Sequence, residues 1–151
     1  MSFEYSIRLA KESDLSGLKE TLGRNGQYLN ILVNGKTIFW LAETETSGII
    51  GMTGAEISGD SALIRSTAVL APYRGKGMAK KLVHALFDSL KERSIQKLYL
   101  FSRDTGTFWE TFGFVECAVE EVITQVPDAH QVISYLKDNS IWTDVAWKAG
   151  I

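Results

Sequence analysis

Apolar and polar positions alternate along the chain in short blocks of period two, interrupted by stretches in which apolar residues recur every three to four positions. Residues 3–9 read as an edge strand, and Ser13 and Asp14 cap a helix that reaches about Leu22. Residues 37–42 and 49–58 read as strands. Gly59 and Asp60 form a tight turn into a third strand over 61–70, which closes a three-strand meander. From about Lys76 to Arg93, Ala79, Leu82, Val83, Leu86 and Leu90 draw a helical stripe, with His84 and Asp88 on the polar side. A strand over 95–102, a short helix over 105–112 and a strand over 115–122 follow. Val132, Ile133 and Leu136 predict a helix over 128–137, and 141–147 alternates well enough for a last strand. Residues 23–35 are polar and contain glycine, with Tyr28, Leu29, Ile31 and Leu32 interleaved, as a short helix in a substrate-facing loop would be.

The strand–helix–strand unit over 62–102 should cross over right-handedly and set its two strands parallel. Ligands of open α/β sheets bind beyond the carboxyl ends of such strands, here residues 69–77 and Ser102. With 151 residues, 45% of them hydrophobic, the chain can build its own core as a single domain over 1–151. A net charge of −2 argues against general nucleic-acid binding. The positive charge is local, in Arg74, Lys76, Lys80 and Lys81. Glu4 and Arg8 fall within the first ten residues and no long apolar span occurs, so neither a leader nor a membrane segment is expected. The single cysteine, Cys117, rules out an internal disulfide and suits a reducing cytoplasm. No metal-ligand spacing, Cys/His pair or Ser/His pair stands out, and His130 acquires no role.

The chemistry concentrates in the run Val-Leu-Ala-Pro-Tyr-Arg-Gly-Lys-Gly-Met-Ala, from Val69 to Ala79. It joins an apolar strand to an amphipathic helix, whose first backbone N–H groups lack partners and carry the positive end of the helix dipole. Such a turn cradles phosphate or pyrophosphate, and glycines let the ligand approach the backbone. Gly77 follows Lys76 where a P-loop needs Ser or Thr. Lys80 stands where a dinucleotide fingerprint needs its third glycine.

Arg74-x-x-Gly77-x-Ala79, behind Ala68-Val69-x-x-Pro72, resembles the acyl-CoA-binding signature of the GCN5-related N-acetyltransferases. The resemblance extends from the first strand to at least Phe114, where Phe-Trp-Glu-Thr-Phe-Gly-Phe (108–114) is similar to the family's closing motif. It implies a mixed α/β sheet of six or seven strands, mostly antiparallel, with one parallel splayed pair and about four helices. It also implies acetyl-CoA as co-substrate, without a metal. The residues that would hold it are Ala68, Val69, Arg74, Gly75, Lys76, Gly77, Met78, Ala79 and Ser102. Two positions depart from the pattern: Trp109 replaces a tyrosine that often protonates the leaving thiolate, and Ser102 replaces an asparagine. Trp109 then packs in the core or against the co-substrate, and Tyr99 is a substitute acid to weigh. Residues 98–102, with Phe108-Trp109 and Gly113-Phe114, look like the amino-acid-acetylating branch (N-acetylglutamate-synthase-like or arsenic-resistance-associated), and the run from Glu56 to Ser66 adds to the likeness to the second group. The Cys-Pro found in the tail of the latter group is absent.

Glu56 and Arg65 can be placed without the resemblance. A two-residue turn at Gly59-Asp60 pairs Glu56 with Leu63, which makes Arg65 a diagonal neighbour of Glu56 on the less apolar face. They read either as a cross-strand salt bridge or as a catalytic pair. As a pair, Glu56 takes the proton from a substrate ammonium, directly or through water, and Arg65 orients Glu56 or holds a substrate carboxylate. The amine then attacks the thioester directly, with the backbone N–H of Val69 or a neighbour facing the oxyanion. The expected activity is acetyl transfer to the primary amine of a small molecule by a monomer or homodimer, without nucleic acid or membrane. Acetylation of a protein or peptide amine, and a non-catalytic acyl-CoA sensor, are the alternatives.

Overall fold

The structure, a computed structural model, describes residues 4–24 and 36–151. The expected substrate-facing segment over 23–35 falls, from residue 25 onward, outside the described residues, as does the first residue of the expected strand over 3–9. In chain order the elements are β1 (Ser6–Leu9), α1 (Leu15–Arg24), β2 (Thr37–Thr44), β3 (Gly48–Ser58), β4 (Ser61–Val69), α2 (Met78–Glu92) and β5 (Lys97–Phe101). Then come α3 (Gly106–Glu110), β6 (Val115–Cys117), α4 (Val119–Gln125), α5 (His130–Lys137) and β7 (Ala146–Gly150). The described strands form a seven-stranded sheet in the order β1-β2-β3-β4-β5-β7-β6. β4 and β5 run parallel, whereas β1–β2, β5–β7 and β6–β7 run antiparallel. This is the mixed, mostly antiparallel sheet that the sequence implies.

The differences lie toward the C-terminus. Residues 115–122 do not make one strand: β6 stops at Cys117 and α4 begins at Val119. Val119, Val122, Ile123 and Val126 recur at helical spacing, and Glu120 and Glu121 sit in the first turn, where the helix dipole favours negative charge. That spacing prevails over the β preference of valine and isoleucine. Likewise the last strand starts at Ala146 rather than 141. Asn139 adopts the left-handed conformation (φ 64°) and sends 140–143 into a 3-10 turn first. There are thus five α-helices among the described residues where about four were expected.

The chain divides into two compact units, Met1–Ala55 with Ser66–Ser89, and Glu56–Arg65 with Leu90–Ile151. In the first, Leu18 and Leu22 of α1 pack with Phe39, Leu41, Met52 and Ala68. Met78 and Leu82 of α2 pack with Ala42, Ile50 and Val69. Full burial of each of the larger side chains among them favours folding by about 1.5–3 kcal/mol. Arg8 ties the start of this unit together, donating from Nε to Glu43 (2.7 Å) and from Nη1 to Asp14 (2.9 Å). The hydrogen bond from Arg8 holds the Asp14 carboxyl below its ordinary pKa.

In the second unit, α4 and α5 cover one face of the parallel pair. Leu63 and Tyr99, opposite each other in register, are buried with Val122, Val126, Ala129, Val132, Ile141 and Ala146. The β4–β5 pairing runs from Ser61↔Lys97 to Leu63↔Tyr99 and stops there. β5 continues to Phe101 with its other edge on β7. Within this unit, Leu100 and Phe101 therefore extend past the last paired residues of the parallel ladder. Trp109 is 5% exposed, with Phe108, Phe112 and Phe114 around it at ring separations of 5.0, 6.0 and 5.6 Å. Of its two expected places it takes the core.

Candidate active site

Three residues in the first unit build the turn after β4. Within β4 itself, Ser66 already adopts the left-handed conformation (φ 58°). Pro72, with its fixed φ, opens a single 3-10 turn over Ala71–Tyr73. Gly75 (φ 78°) and Gly77 (φ 79°) then reverse the chain. Residues bearing a β-carbon rarely adopt such conformations. α2 begins at the next residue, and the Lys81 N–H in its first turn donates back to Gly77 O at 3.2 Å.

The turn is braced from within. Arg74 Nε donates to the Val69 carbonyl (2.7 Å), and the Tyr73 hydroxyl donates to Ser47 Oγ (2.9 Å). A β-carbon built on Gly75 or Gly77 would meet nothing within 4 Å, so the space above both is open. Arg74, Gly75, Lys76 and Gly77 are exposed, whereas Ala68, Val69 and Met78 bury their side chains in the core and Ala79 is half-buried. The last four can therefore offer a ligand mainly backbone. The open glycine turn, the N–H groups at the start of α2 and the exposed cations fit a pyrophosphate-bearing co-substrate such as acetyl-CoA. Lys81 places its ammonium over the Tyr5 ring, 5.5 Å from the centroid.

Ser102 belongs to the second unit. Its hydroxyl lies 2.6 Å from Thr105 Oγ1 and accepts the Thr105 N–H at 3.1 Å, and its carbonyl accepts from Trp147 Nε1 at 2.9 Å. A β-carbon on Gly106 would lie 2.6 Å from Trp147, so the start of α3 rests directly on the indole.

Glu56 and Arg65 meet as the hairpin geometry predicts. Arg65 Nη1 donates to Glu56 Oε2 at 3.1 Å, with both side chains about nineteen-twentieths buried. The sequence did not disclose the rest of the cluster. Glu56 Oε1 accepts the backbone N–H of His130 (2.5 Å), and Oε2 accepts that of Gln131 (3.0 Å). α5 has no side-chain cap of its own, since Ala129 precedes it, and Glu56 supplies that cap from β3. The one local sign was the absence of Ser, Thr, Asp or Asn at position 129. A carboxylate has four lone-pair sites, and these three donors among the described residues leave one for a water or a substrate N–H.

Tyr99, weighed as a substitute acid, is 3% exposed and donates to Glu121 Oε2 at 3.1 Å. Burial pushes its pKa up to about 12. It lines a cavity of about 440 Å³ with Lys97, Val115, Glu121, Gln125 and Lys148. Cys117 is a half-buried thiol whose pKa burial raises to about 11. It is therefore no ready nucleophile.

No helix among the described residues is long and apolar enough to cross a membrane. Residues 35–116, a little over half of the chain, match the acetyltransferase (GNAT) domain family. A ribosomal protein bS18-alanine N-acetyltransferase of Haemophilus ducreyi is 29% identical over 92 residues, which span 58% of this chain and 63% of that protein. Among solved structures, Rv2747 of Mycobacterium tuberculosis in complex with CoA superimposes with a TM-score of 0.73 at 18% identity, covering 97% of this chain and 99% of that one. The N-acetylglutamate synthase of Neisseria gonorrhoeae, complexed with coenzyme A and N-acetyl-glutamate, gives 0.72 at 19% identity over 99% of this chain and 36% of that one. At such identities these structures speak for the fold. The domain match extends from β2 through the glycine turn to β6, and on that ground the chain belongs to the GNAT acetyltransferase family.

Proposed function

We propose that this chain is an acetyl-CoA-dependent N-acetyltransferase that acts, as one domain, on the primary amine of a small molecule, foremost an amino acid or amino-acid-like compound. The observation that carries this reading is the turn from Val69 to Ala79, with its open left-handed Gly75 and Gly77 and its Arg74 braced on Val69. In this reading the backbone of the turn and the start of α2 hold the pyrophosphate, Arg74, Lys76 and Lys80 neutralise its charge, and Ser102 contributes a hydroxyl. The substrate ammonium gives up a proton to Glu56, directly or through one water, by way of the remaining lone-pair site. Arg65 keeps the carboxylate in one orientation. The free amine attacks the thioester carbonyl, with the Val69 N–H facing the developing oxyanion. The neighbouring Leu70 N–H already serves the Ile50 carbonyl at 2.9 Å. The C–N bond forms, the C–S bond breaks, and CoA leaves with a thiol pKa near the ordinary value of about 8.5. A cytoplasmic location accords with the unpaired thiol of Cys117.

A second reading is favoured by the Haemophilus relative, whose name assigns it the alanine of a ribosomal protein: a protein N-terminus as acceptor. Both readings share an α-amine. The test is CoA release from acetyl-CoA with L-glutamate, L-alanine, an alanine-initiated peptide and spermidine as acceptors. Release confined to the free amino acids supports the small-molecule reading, and release with the peptide alone supports the second. Silence with all four, from a chain that binds acetyl-CoA, overturns both.

A further inference from the structure

We propose that the side-chain amide of Gln131 reads the acceptor: its carbonyl oxygen Oε1 takes an N–H of the substrate ammonium at the Glu56 cluster. The proposal rests on the acetyltransferase reading for the identity of that ammonium as the acceptor amine. Its starting point is an orphan. Gln131 Oε1 is buried and has no hydrogen-bond partner among the described residues. Buried polar atoms nearly always find one, so the atom calls for a donor that arrives from outside.

The amide is held in place rather than left to search. Its Nε2 donates to the Tyr135 hydroxyl one turn along α5, at 3.1 Å. Tyr135 in turn leans on Phe101, the last residue of β5, with ring centroids 5.7 Å apart. Phe101 lies beyond the point where the parallel ladder stops. At its other end the same glutamine donates its backbone N–H to Glu56 Oε2. The first turn of α5 thus carries an unsatisfied side-chain carbonyl and the two backbone N–H groups that hold the buried Glu56 carboxylate, which keeps one open acceptor site. An ammonium suits this pair: it brings three N–H donors and the positive charge that a buried carboxylate stabilises. A carboxylate or phosphate ligand has no proton for Oε1, and a second carbonyl would leave both oxygens unmet.

Gln131→Met and Gln131→Glu separate this role from a structural one, with L-alanine and L-alaninamide as the amines. Methionine fills the space without an acceptor, whereas glutamate keeps an acceptor oxygen. In Gln131→Met the KM for the amine rises about tenfold or more and the KM for acetyl-CoA changes less than about twofold. Its Tm stays level or rises, because an orphan polar atom is gone. Gln131→Glu keeps the amine KM within about threefold of the parent. A readout free of turnover accompanies this: L-alaninamide raises the Tm of the parent and of Gln131→Glu in a concentration-dependent way, but not that of Gln131→Met. Unchanged amine KM and unchanged Tm response in Gln131→Met overturn the proposal. So does equal loss of both in the two variants, which points to the bond with Tyr135 instead. A parent that releases no CoA with any amine, yet shows the amine-dependent Tm rise that methionine abolishes, overturns the acetyltransferase reading and keeps the amine site. A parent that shows neither overturns both.

Discussion

The glycine turn after β4 and the carboxylate cluster beneath α5 are built in opposite ways. The turn uses eleven consecutive residues, and most of what it offers a ligand is backbone: left-handed glycines, the first N–H groups of a helix and a few exposed cations. The cluster gathers side chains and backbone from residues 56, 65, 130 and 131, so its closing contact spans 74 residues of chain. Its charges are buried and its donors counted. A local backbone site tolerates change in its surroundings but little in its own φ angles. A dispersed buried site is stabilised by every partner and loses several bonds when one is removed.

The largest effect that this contrast predicts is Glu56→Ala. It removes the carboxylate that pairs with the buried Arg65 guanidinium and accepts the N–H groups of His130 and Gln131. Removing one partner of a buried pair costs about 3–5 kcal/mol. Thermal denaturation should show a Tm lower by on the order of 10 °C in a chain of this length. A loss of activity with unchanged Tm would mean that Glu56 does not fasten α5. Next comes Gly106→Ala, which drives a methyl into Trp147. Overpacking of that kind costs about 1–3 kcal/mol, read as an earlier chemical-denaturation midpoint. Gly77→Val then probes the local site alone. Position 77 has a φ of 79°. A β-branched residue is strained there, and the reshaped turn should weaken acetyl-CoA binding about tenfold or more in a titration. If affinity holds, the turn is not the cradle.

The smallest effect concerns Arg8 and Asp14. Because the folded pKa of Asp14 is depressed, the pair stabilises above the ordinary carboxylate value and loses that contribution as pH falls through the lowered folded value. Arg8 is a third exposed. The contribution is therefore on the order of 1 kcal/mol or less. The stability gap between the parent and Asp14→Asn should accordingly narrow on acidification below about pH 4.

The sheet and the glycine turn were legible in the sequence because they are local. Period-two alternation marks β2 to β4, a stripe at helical spacing marks α2, and the turn residues lie side by side. The pairing of Glu56 with Arg65 was also within reach, since one hairpin turn fixes which residues share a face. What escaped depended on distance or on competing signals. The helix α4 lay hidden in a run of valine and isoleucine that alternates like a strand. The cap of α5 comes from β3, and no local pattern carries that information. Ser66, within β4, holds a left-handed φ that serine rarely adopts, and nothing around it in the sequence announces it.

The measurement that tests the central claim most directly is a calorimetric titration of acetyl-CoA into the parent chain and into Arg74→Glu. Arg74 is exposed and its substitution reverses a charge at the turn, while the buried cluster around Glu56 is left as it is. The account predicts saturable one-to-one binding by the parent and an affinity about tenfold or more weaker in Arg74→Glu. Equal affinity in the two proteins, or no binding by the parent, would contradict it.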